Sequence, residues 1–287
     1  MEVHIVHPYG YCKGVQQAIV LAERAREENP GIPVYLLGML VHNEETIEAL
    51  AKKDICFLDE KEGSFETLIQ RIPDGSVIVF SAHGHDAKLD EIAKAKNLKI
   101  YDATCSFVRE NLEEALSEVK ERPIIYIGVK GHLESEAFRA NCPKAYFYDV
   151  KNGPEGWDVS SLKNPHLISQ TTLSDSELQE AHAFLKKSFS ALSIGKERCQ
   201  ATSLRQLALR NLPKDIDLVV ILGSKRSNNS QKLYEIAKEE GKDAILVLGL
   251  ADLMKLDLNS KKKVALASGA STSPATFQDC LKYLQSL

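Results

Sequence analysis

Short apolar runs alternate along this chain with longer stretches in which apolar residues recur at three-and-four spacing. After Cys12, the residues Val15, Ala18, Ile19, Ala22 and Ala25 trace one face of an amphipathic helix. A compact apolar run ending in glycine then follows, and this motif occurs three times: Val34 to Gly38, Ile124 to Gly128 and Leu218 to Gly223. Four residues beyond these glycines stand His42, His132 and Ser227, each leading into a helical pattern. A second strand-like run closes on serine in each repeat: Val77 to Ser81, Leu167 to Ser169 and Val264 to Ser268. Just past those serines come His83, Thr171 and Ser271, with helical periodicity again behind them. Strands alternating with helices predict parallel sheets joined by right-handed crossovers. In such sheets the polar loops gather beyond the carboxyl ends of the strands, where ligands bind.

Three cysteines keep the same period. Cys12, Cys105 and Cys199 stand 93 and 94 residues apart. Each follows a short apolar segment (His4-Ile5-Val6, Lys99-Ile100-Tyr101 and, more weakly, Leu192-Ser193-Ile194) and precedes a helix-like stretch. Three α/β units of about 95 residues therefore account for nearly the whole chain. Arranged around a pseudo-threefold axis, they would bring three thiols and six polar loops to one centre. Cys56, Cys142 and Cys280 have no counterparts in this register and read as packing residues. His4, His7, His85, His166 and His182 read as surface or satisfied core groups. The stretch Asn152-Gly153-Pro154-Glu155-Gly156 reads as a surface turn.

Composition narrows the functional classes. With 44% apolar and 26% charged residues over 287 positions, the chain has the make-up of a globular protein. A net charge of −4 gives no electrostatic support to nucleic-acid or anionic-membrane binding. No apolar run approaches the ~18 residues of a membrane span. Val3-His4-Ile5-Val6 enters a strand directly, without a basic flank and apolar leader, so a cytoplasmic location is expected.

Three thiolates from distant parts of a chain suit a metal centre with one open position, and soft sulfur selects zinc, copper(I) or iron–sulfur clusters. A cubane cluster on three cysteines leaves one iron free for substrate. Zinc with three thiolates and water would favour hydrolysis or deamination. The loop residues His42, His83, His132, Glu134, Thr171, Ser227, Asn229 and Ser271 are mostly neutral hydrogen-bond donors, with a single carboxylate among them. Several fall where a helix should start, which adds backbone N–H groups and dipole to an anion pocket fit for phosphate. There is no GxxxxGK[ST], GxGxxG or HExxH. His132-x-Glu134 matches half of a deaminase pattern whose PCxxC half is missing. Asn43, Asn229 and Ser174 would serve equally as helix caps, and Ser174-x-x-Glu177 has the form of a capping box. A buried Glu134 beside an anion would stay protonated, as a proton donor must.

The ordered motifs carry a family resemblance. Gly10-Tyr11-Cys12-Lys13-Gly14-Val15, Val41-His42-Asn43, Ser81-Ala82-His83-Gly84, Asp102-Ala103-Thr104-Cys105 and Gly131-His132-x-Glu134 occupy the first half. Gln170-Thr171-Thr172-Leu173-Ser174, Ala201-Thr202-x-x-Arg205-Gln206, Gly223-Ser224-Lys225-x-Ser227-x-Asn229-Ser230 and Gly269-Ala270-Ser271 complete the set. From end to end the chain resembles the 4-hydroxy-3-methylbut-2-enyl diphosphate reductases of the non-mevalonate isoprenoid pathway. The resemblance implies a trefoil of three pseudo-threefold-related α/β domains, each with a small, mainly parallel sheet. The expected units are 14–103, 104–197, and 198–287 together with 1–13. It implies one [4Fe-4S] cluster on Cys12, Cys105 and Cys199. His42, His83, His132, Thr171, Ser227, Asn228, Asn229 and Ser271 would bind the small allylic diphosphate substrate, with Glu134, Thr171 and His132 as the catalytic set. Electrons would come from a flavodoxin- or ferredoxin-like donor.

Some positions depart from the family pattern. Lys13 replaces a small residue, Ser106 a proline, Leu133 a proline, Ala137 a glycine, Leu204 an asparagine and Asn228 a serine, and Thr272-Ser273-Pro274 makes a loop one residue longer. None removes a thiol or the carboxylate. Two further readings of the residues stand beside the reductase: a non-catalytic iron–sulfur redox sensor, and a three-cysteine zinc hydrolase of a phosphorylated substrate.

Overall fold

The computed structural model describes residues 1–195 and 199–287. The chain begins β1 (Glu2–Ile5), α1 (Lys13–Glu27), β2 (Val34–Leu37), α2 (Glu44–Ala51), β3 (Ile55–Leu58), α3 (Phe65–Arg71), β4 (Val77–Phe80), α4 (Lys88–Ala95) and β5 (Lys99–Asp102). It continues α5 (Ser106–Glu118), β6 (Ile124–Gly128), α6 (Leu133–Asn141), β7 (Tyr146–Asp149), β8 (Gly153–Pro154), β9 (His166–Ser169), α7 (Asp175–Ser188) and β10 (Ser193–Ile194). The last part runs α8 (Gln200–Arg210), β11 (Leu218–Leu222), α9 (Asn228–Glu239), β12 (Ala244–Val247), α10 (Leu250–Leu253), β13 (Lys263–Ser268) and α11 (Pro274–Ser286).

These strands form three sheets with one plan: β3-β2-β4-β5, β8-β7-β6-β9-β10 and β12-β11-β13-β1. In each, the strand that leads into glycine pairs with the strand that ends at serine, in registers Val34↔Val77, Ile124↔His166 and Leu218↔Val264. The edge strand beside the serine-ended one (β5, β10 or β1) leads to the cysteine. Every pairing is parallel except β7 with β8. The third sheet draws its edge from the far end of the chain, with Glu2 opposite Lys263 and Ile5 opposite Leu266.

Parallel sheets need cover on both faces, so their central strands are apolar throughout. Val77–Phe80 and Leu218–Leu222 are buried at every position. In the first sheet, Val34, Leu36, Val77 and Val79 pack on Ala18, Ala22 and Ala25 of α1. The alternate residues Leu37, Ile78 and Phe80 meet Leu68 and Ile69 of α3 on the opposite face. The small alanines of α1 let that helix lie close to the strands, which matters because its first turn carries Cys12.

Two sequence expectations change. Gly153 and Pro154, read as a loose surface turn, form the short antiparallel strand β8 against Tyr148 and Asp149. Cys142 and Cys280 sit in apolar clusters as packing residues, but Cys56 is exposed on the edge strand β3. Its side chain falls on the outward face of a strand with only one neighbour, an arrangement that composition alone does not reveal. Among the described residues no helix is long and apolar enough to cross a membrane.

Candidate active site

The carboxyl ends of the three sheets face a common cleft of about 110 Å³. Every residue singled out from the sequence reaches it: Cys12, Cys105 and Cys199, then His42, His83, His132, Glu134, Thr171, Ser227, Asn228, Asn229 and Ser271. The cleft is polar at one end and sulfur-rich at the other.

At the sulfur end, each cysteine is the residue that opens a helix. Cys12, Cys105 and Cys199 stand at the N-cap positions of α1, α5 and α8. None of these helices has an acidic residue in its first turn, so the positive end of each dipole is left for a ligand. The amide of Val15 approaches the Cys12 sulfur at 3.4 Å. Burial pushes the Cys105 thiol up to about 11, the amides of Phe107 and Val108 partly offsetting this, and the thiols of Cys12 and Cys199 add to the rise. Burial likewise raises Cys199. Without a cation the sulfurs of Cys105 and Cys199 favour their protons; a bound metal would reverse that preference. Gly14 is what lets the sulfurs approach, since a β-carbon there would lie 2.7 Å from the Cys105 sulfur.

Among the described residues no group of three or more His, Cys, Asp and Glu side chains is drawn tightly enough to hold one metal ion. Three thiols facing one cleft are a soft donor set of the kind that holds an iron–sulfur cluster. The donor set therefore fits an iron–sulfur cluster.

At the other end three imidazoles form a triangle. The His42 and His83 rings are 4.2 Å apart between centroids, and His132 stands edge-on to both at 5.7 and 5.8 Å. Burial lowers all three: His42 to about 4, with the Arg226 charge contributing, His132 to about 3, and His83 well below its ordinary value. They are neutral in the free protein. His132 caps α6, its Nδ1 accepting the Glu134 amide at 3.2 Å, which leaves the proton on Nε2. His83 Nδ1 lies 3.3 Å from Ser81 Oγ, and its loop is further from a helix start than expected, because α4 begins only at Lys88.

Buried polar groups without protein partners line this end of the cleft. Asn229, 5% exposed, has neither its amide nitrogen nor its oxygen bonded, and His42 Nδ1 is also unpartnered. Native proteins leave few such groups, and each calls for an explanation. The capping reading of Asn229 does not hold, because Ser227 caps α9 by accepting the Ser230 amide. The cap readings of Asn43 and Ser174 do hold, the latter with a full capping box to Glu177. Asn228 lines the cleft with its amide already engaged by Thr172. Ser271 Oγ donates to the His42 carbonyl, binding two lobes together.

Glu134 lines the cleft next to His132. It is 3% exposed, and its carboxylate accepts from the Thr171 amide and hydroxyl, both at 2.8 Å. Burial pushes it up to about 7, held back by those two bonds. A carboxyl poised near neutrality is suited to give up a proton.

One residue went without a role in the sequence reading. Arg205 is buried, donating to the carbonyl of Gly10 at 2.6 Å and of Ala201 at 3.0 Å, and its Nε has no partner. It ties the loop of Cys12 to the first turn behind Cys199 and brings positive charge toward both thiols. Its place in the motif Ala201-Thr202-x-x-Arg205-Gln206 was the only signal, and periodicity alone would have read it as a surface charge.

Fold and site define a class: an α/β protein of three like lobes that share one thiol–imidazole cleft. Its relatives agree over the full length. The family model described as LytB protein matches residues 3–285, and the chain belongs to that family. It is 34% identical to the 4-hydroxy-3-methylbut-2-enyl diphosphate reductase of Serratia proteamaculans (strain 568), covering 100% of this chain and 90% of that one. The protein of that name from Francisella philomiragia is 33% identical over 94% of this chain and 85% of its own. Among solved structures, the E-1-hydroxy-2-methyl-but-2-enyl-4-diphosphate reductase from Plasmodium falciparum superposes with a TM-score of 0.86 at 29% identity, covering 99% of this chain and 88% of that one. A second solved structure, that of (E)-4-hydroxy-3-methyl-but-2-enyl diphosphate reductase, the terminal enzyme of the non-mevalonate pathway, shares the fold. Its TM-score is 0.67 at 23% identity, with both chains fully covered.

Proposed function

We propose that this chain is a 4-hydroxy-3-methylbut-2-enyl diphosphate reductase, which removes the allylic hydroxyl and yields isopentenyl and dimethylallyl diphosphate. The reaction takes up two electrons and two protons, breaks the C4–O bond and releases water. The observation that carries this reading is the cleft itself, where one thiol from each sheet's helix faces three imidazoles across a buried Glu134–Thr171 pair.

Cys12, Cys105 and Cys199 would hold one [4Fe-4S] cluster, which when bound supplies electrons and a Lewis-acidic iron without a protein ligand. The chain's own residues do the rest. His42, His83, Ser227, Asn229 and Ser271 fix the diphosphate, while His132 presents Nε2–H toward the substrate. Fixing the charged end orients the allylic end toward the thiols, so binding energy is used for positioning. Glu134 gives a proton to the departing hydroxyl, and Thr171 holds the carboxyl in place. Asn228 shapes the pocket through its bond to Thr172. The second proton ends on the allyl carbon.

The lobes in this reading are 14–103, 104–197, and 198–287 with 1–13. Support comes from one sheet per lobe, the third completed by β1. A small one-electron carrier of flavodoxin or ferredoxin type would supply the electrons, and the enzyme would work in the cytoplasm.

The test is anaerobic turnover of the diphosphate by reconstituted protein with an artificial reductant, alongside iron and sulfide analysis. Reduction of substrate by brown protein with about four irons and four sulfides per chain is the expected result. Zinc-loaded, folded protein without turnover would favour the hydrolase reading. A full cluster without turnover would favour a sensor.

A further inference from the structure

Behind Glu134 the fold leaves a second cavity of about 220 Å³, with Glu134 and Val108 as the wall it shares with the cleft. Its other walls carry His85, Asp90, Asp102, Arg109, Tyr126 and Asn141. Most of these are engaged. Asp102 accepts the Thr104 amide at 2.9 Å and pairs with Arg109 at 2.9 Å, His85 Nε2 lies 3.4 Å from Asp90, and Asn141 donates to the carbonyls of His85 and Ala137. Two buried polar atoms make no hydrogen bond of ordinary geometry: Tyr126 Oη, which has the Ser135 side chain nearby, and His85 Nδ1. Tyr126 is 1% exposed; burial raises its phenol well above the ordinary value, with the nearby Glu134 carboxylate adding to the rise and Ser135 offsetting part of it. Buried polar atoms facing a roomy polar cavity are the usual partners of ordered water. At the outer end of the cavity the Arg109 side chain is 50% exposed and that of Asp102 30%.

Glu134 needs such a route. On the cleft side both of its oxygens are taken by Thr171, and a substrate seated on the imidazoles covers what remains. A carboxylate that has given its proton to a leaving hydroxyl must regain one from elsewhere before the next turnover. We propose that the rear cavity holds a file of water that returns protons from solvent to Glu134, entering past Asp102 and Arg109 and guided by His85 and Tyr126. One proton enters from bulk water for each one Glu134 gives away, so no other reactant is required. This rests on Glu134 being the proton donor of the proposed reaction.

Tyr126→Phe, His85→Phe and the cavity-filling Ala137→Val are to be compared with the parent protein. Hydrogen–deuterium exchange of the Glu134 carboxyl, followed by infrared difference spectroscopy, reports on the route whether or not a cluster is loaded. Slower exchange by about tenfold, a kcat lowered by about tenfold with KM unchanged, and a larger solvent isotope effect on kcat are expected. Tyr126→Phe removes one oxygen and keeps the ring stacked on Phe138, so folding is preserved and near-UV circular dichroism verifies it. Unchanged exchange and isotope effect in all three folded variants would overturn the rear route. Glu134→Gln separates the two readings. If it is inactive while those variants behave as the parent, only the route fails. If it is fully active, the proton-donor reading itself fails.

Discussion

The two ends of the cleft are built from the same repeat and treat it differently. At the sulfur end the repeat is kept: an edge strand, then a cysteine at the start of a helix, three times over. At the other end the equivalent loops have diverged, carrying His42, His132 and Ser227 after one set of strands and His83, Thr171 and Ser271 after the other. An inorganic core with threefold-related corners can be met by like ligands, whereas an extended, asymmetric organic anion cannot. Burial also favours the neutral form at both ends, raising the Cys105 and Cys199 thiols and lowering the three imidazoles.

The largest effect should come from breaking the symmetric end. Cys105→Ser should abolish iron binding and measurable turnover together while the apoprotein keeps its circular dichroism. Retained iron at parental stoichiometry would show that the thiols are not equivalent. Next is the carboxyl beside His132. Glu134→Gln should keep iron content and lower kcat by about 10²–10⁴, with KM little changed. Smaller effects belong to the asymmetric end. Asn229→Ala or His42→Ala should each weaken binding of the diphosphate by about 10–100-fold, the loss of one hydrogen bond to a charged group. Iron content should be unaffected, and iron and affinity falling together would mean that the two ends are one structural unit.

The smallest effect concerns pH. Unfolded imidazoles take up protons near their ordinary 6.5, while His42 and His132 refuse them down to about 4 and 3. Substrate-free protein should therefore lose stability as pH falls from 6.5 toward 4. Glu134 works with the opposite sign, its native proton held up to about 7 against an ordinary 4.5, so its share is lost as pH rises through that window. Three imidazoles against one carboxyl make the net trend a falling melting temperature on acidification, measurable by calorimetry. The same carboxyl gives activity a descending limb above about pH 7, which Glu134→Gln should remove.

Much of this was written in local pattern. Apolar runs ending in glycine or serine mark the central strands because strands buried on both faces must be apolar throughout, and the cysteine period marks the edges. The polar residues past each strand were legible because chain direction in a parallel sheet decides where loops gather. What depends on distant neighbours was not. Asn229 is distinguished from a helix cap only by Ser227 taking that role, Gly14 only by the Cys105 sulfur beside it, and Arg205 only by the Gly10 carbonyl it reaches. The exposure of Cys56 follows from the strand order, and the cavity behind Glu134 from how α5 and α6 lean on β6. No local spacing encodes these.

The pairing of β1 with β13 sets a timetable for biosynthesis. The Cys12 amide bonds to the Ala270 carbonyl, and the strand leading to Cys12 lies along residues 263–266. While the chain is still emerging from the ribosome, its earliest thiol has no frame to lie against. That sulfur takes its place only once some 270 residues are available, so the first thiol waits on a strand and loop encoded far downstream of it.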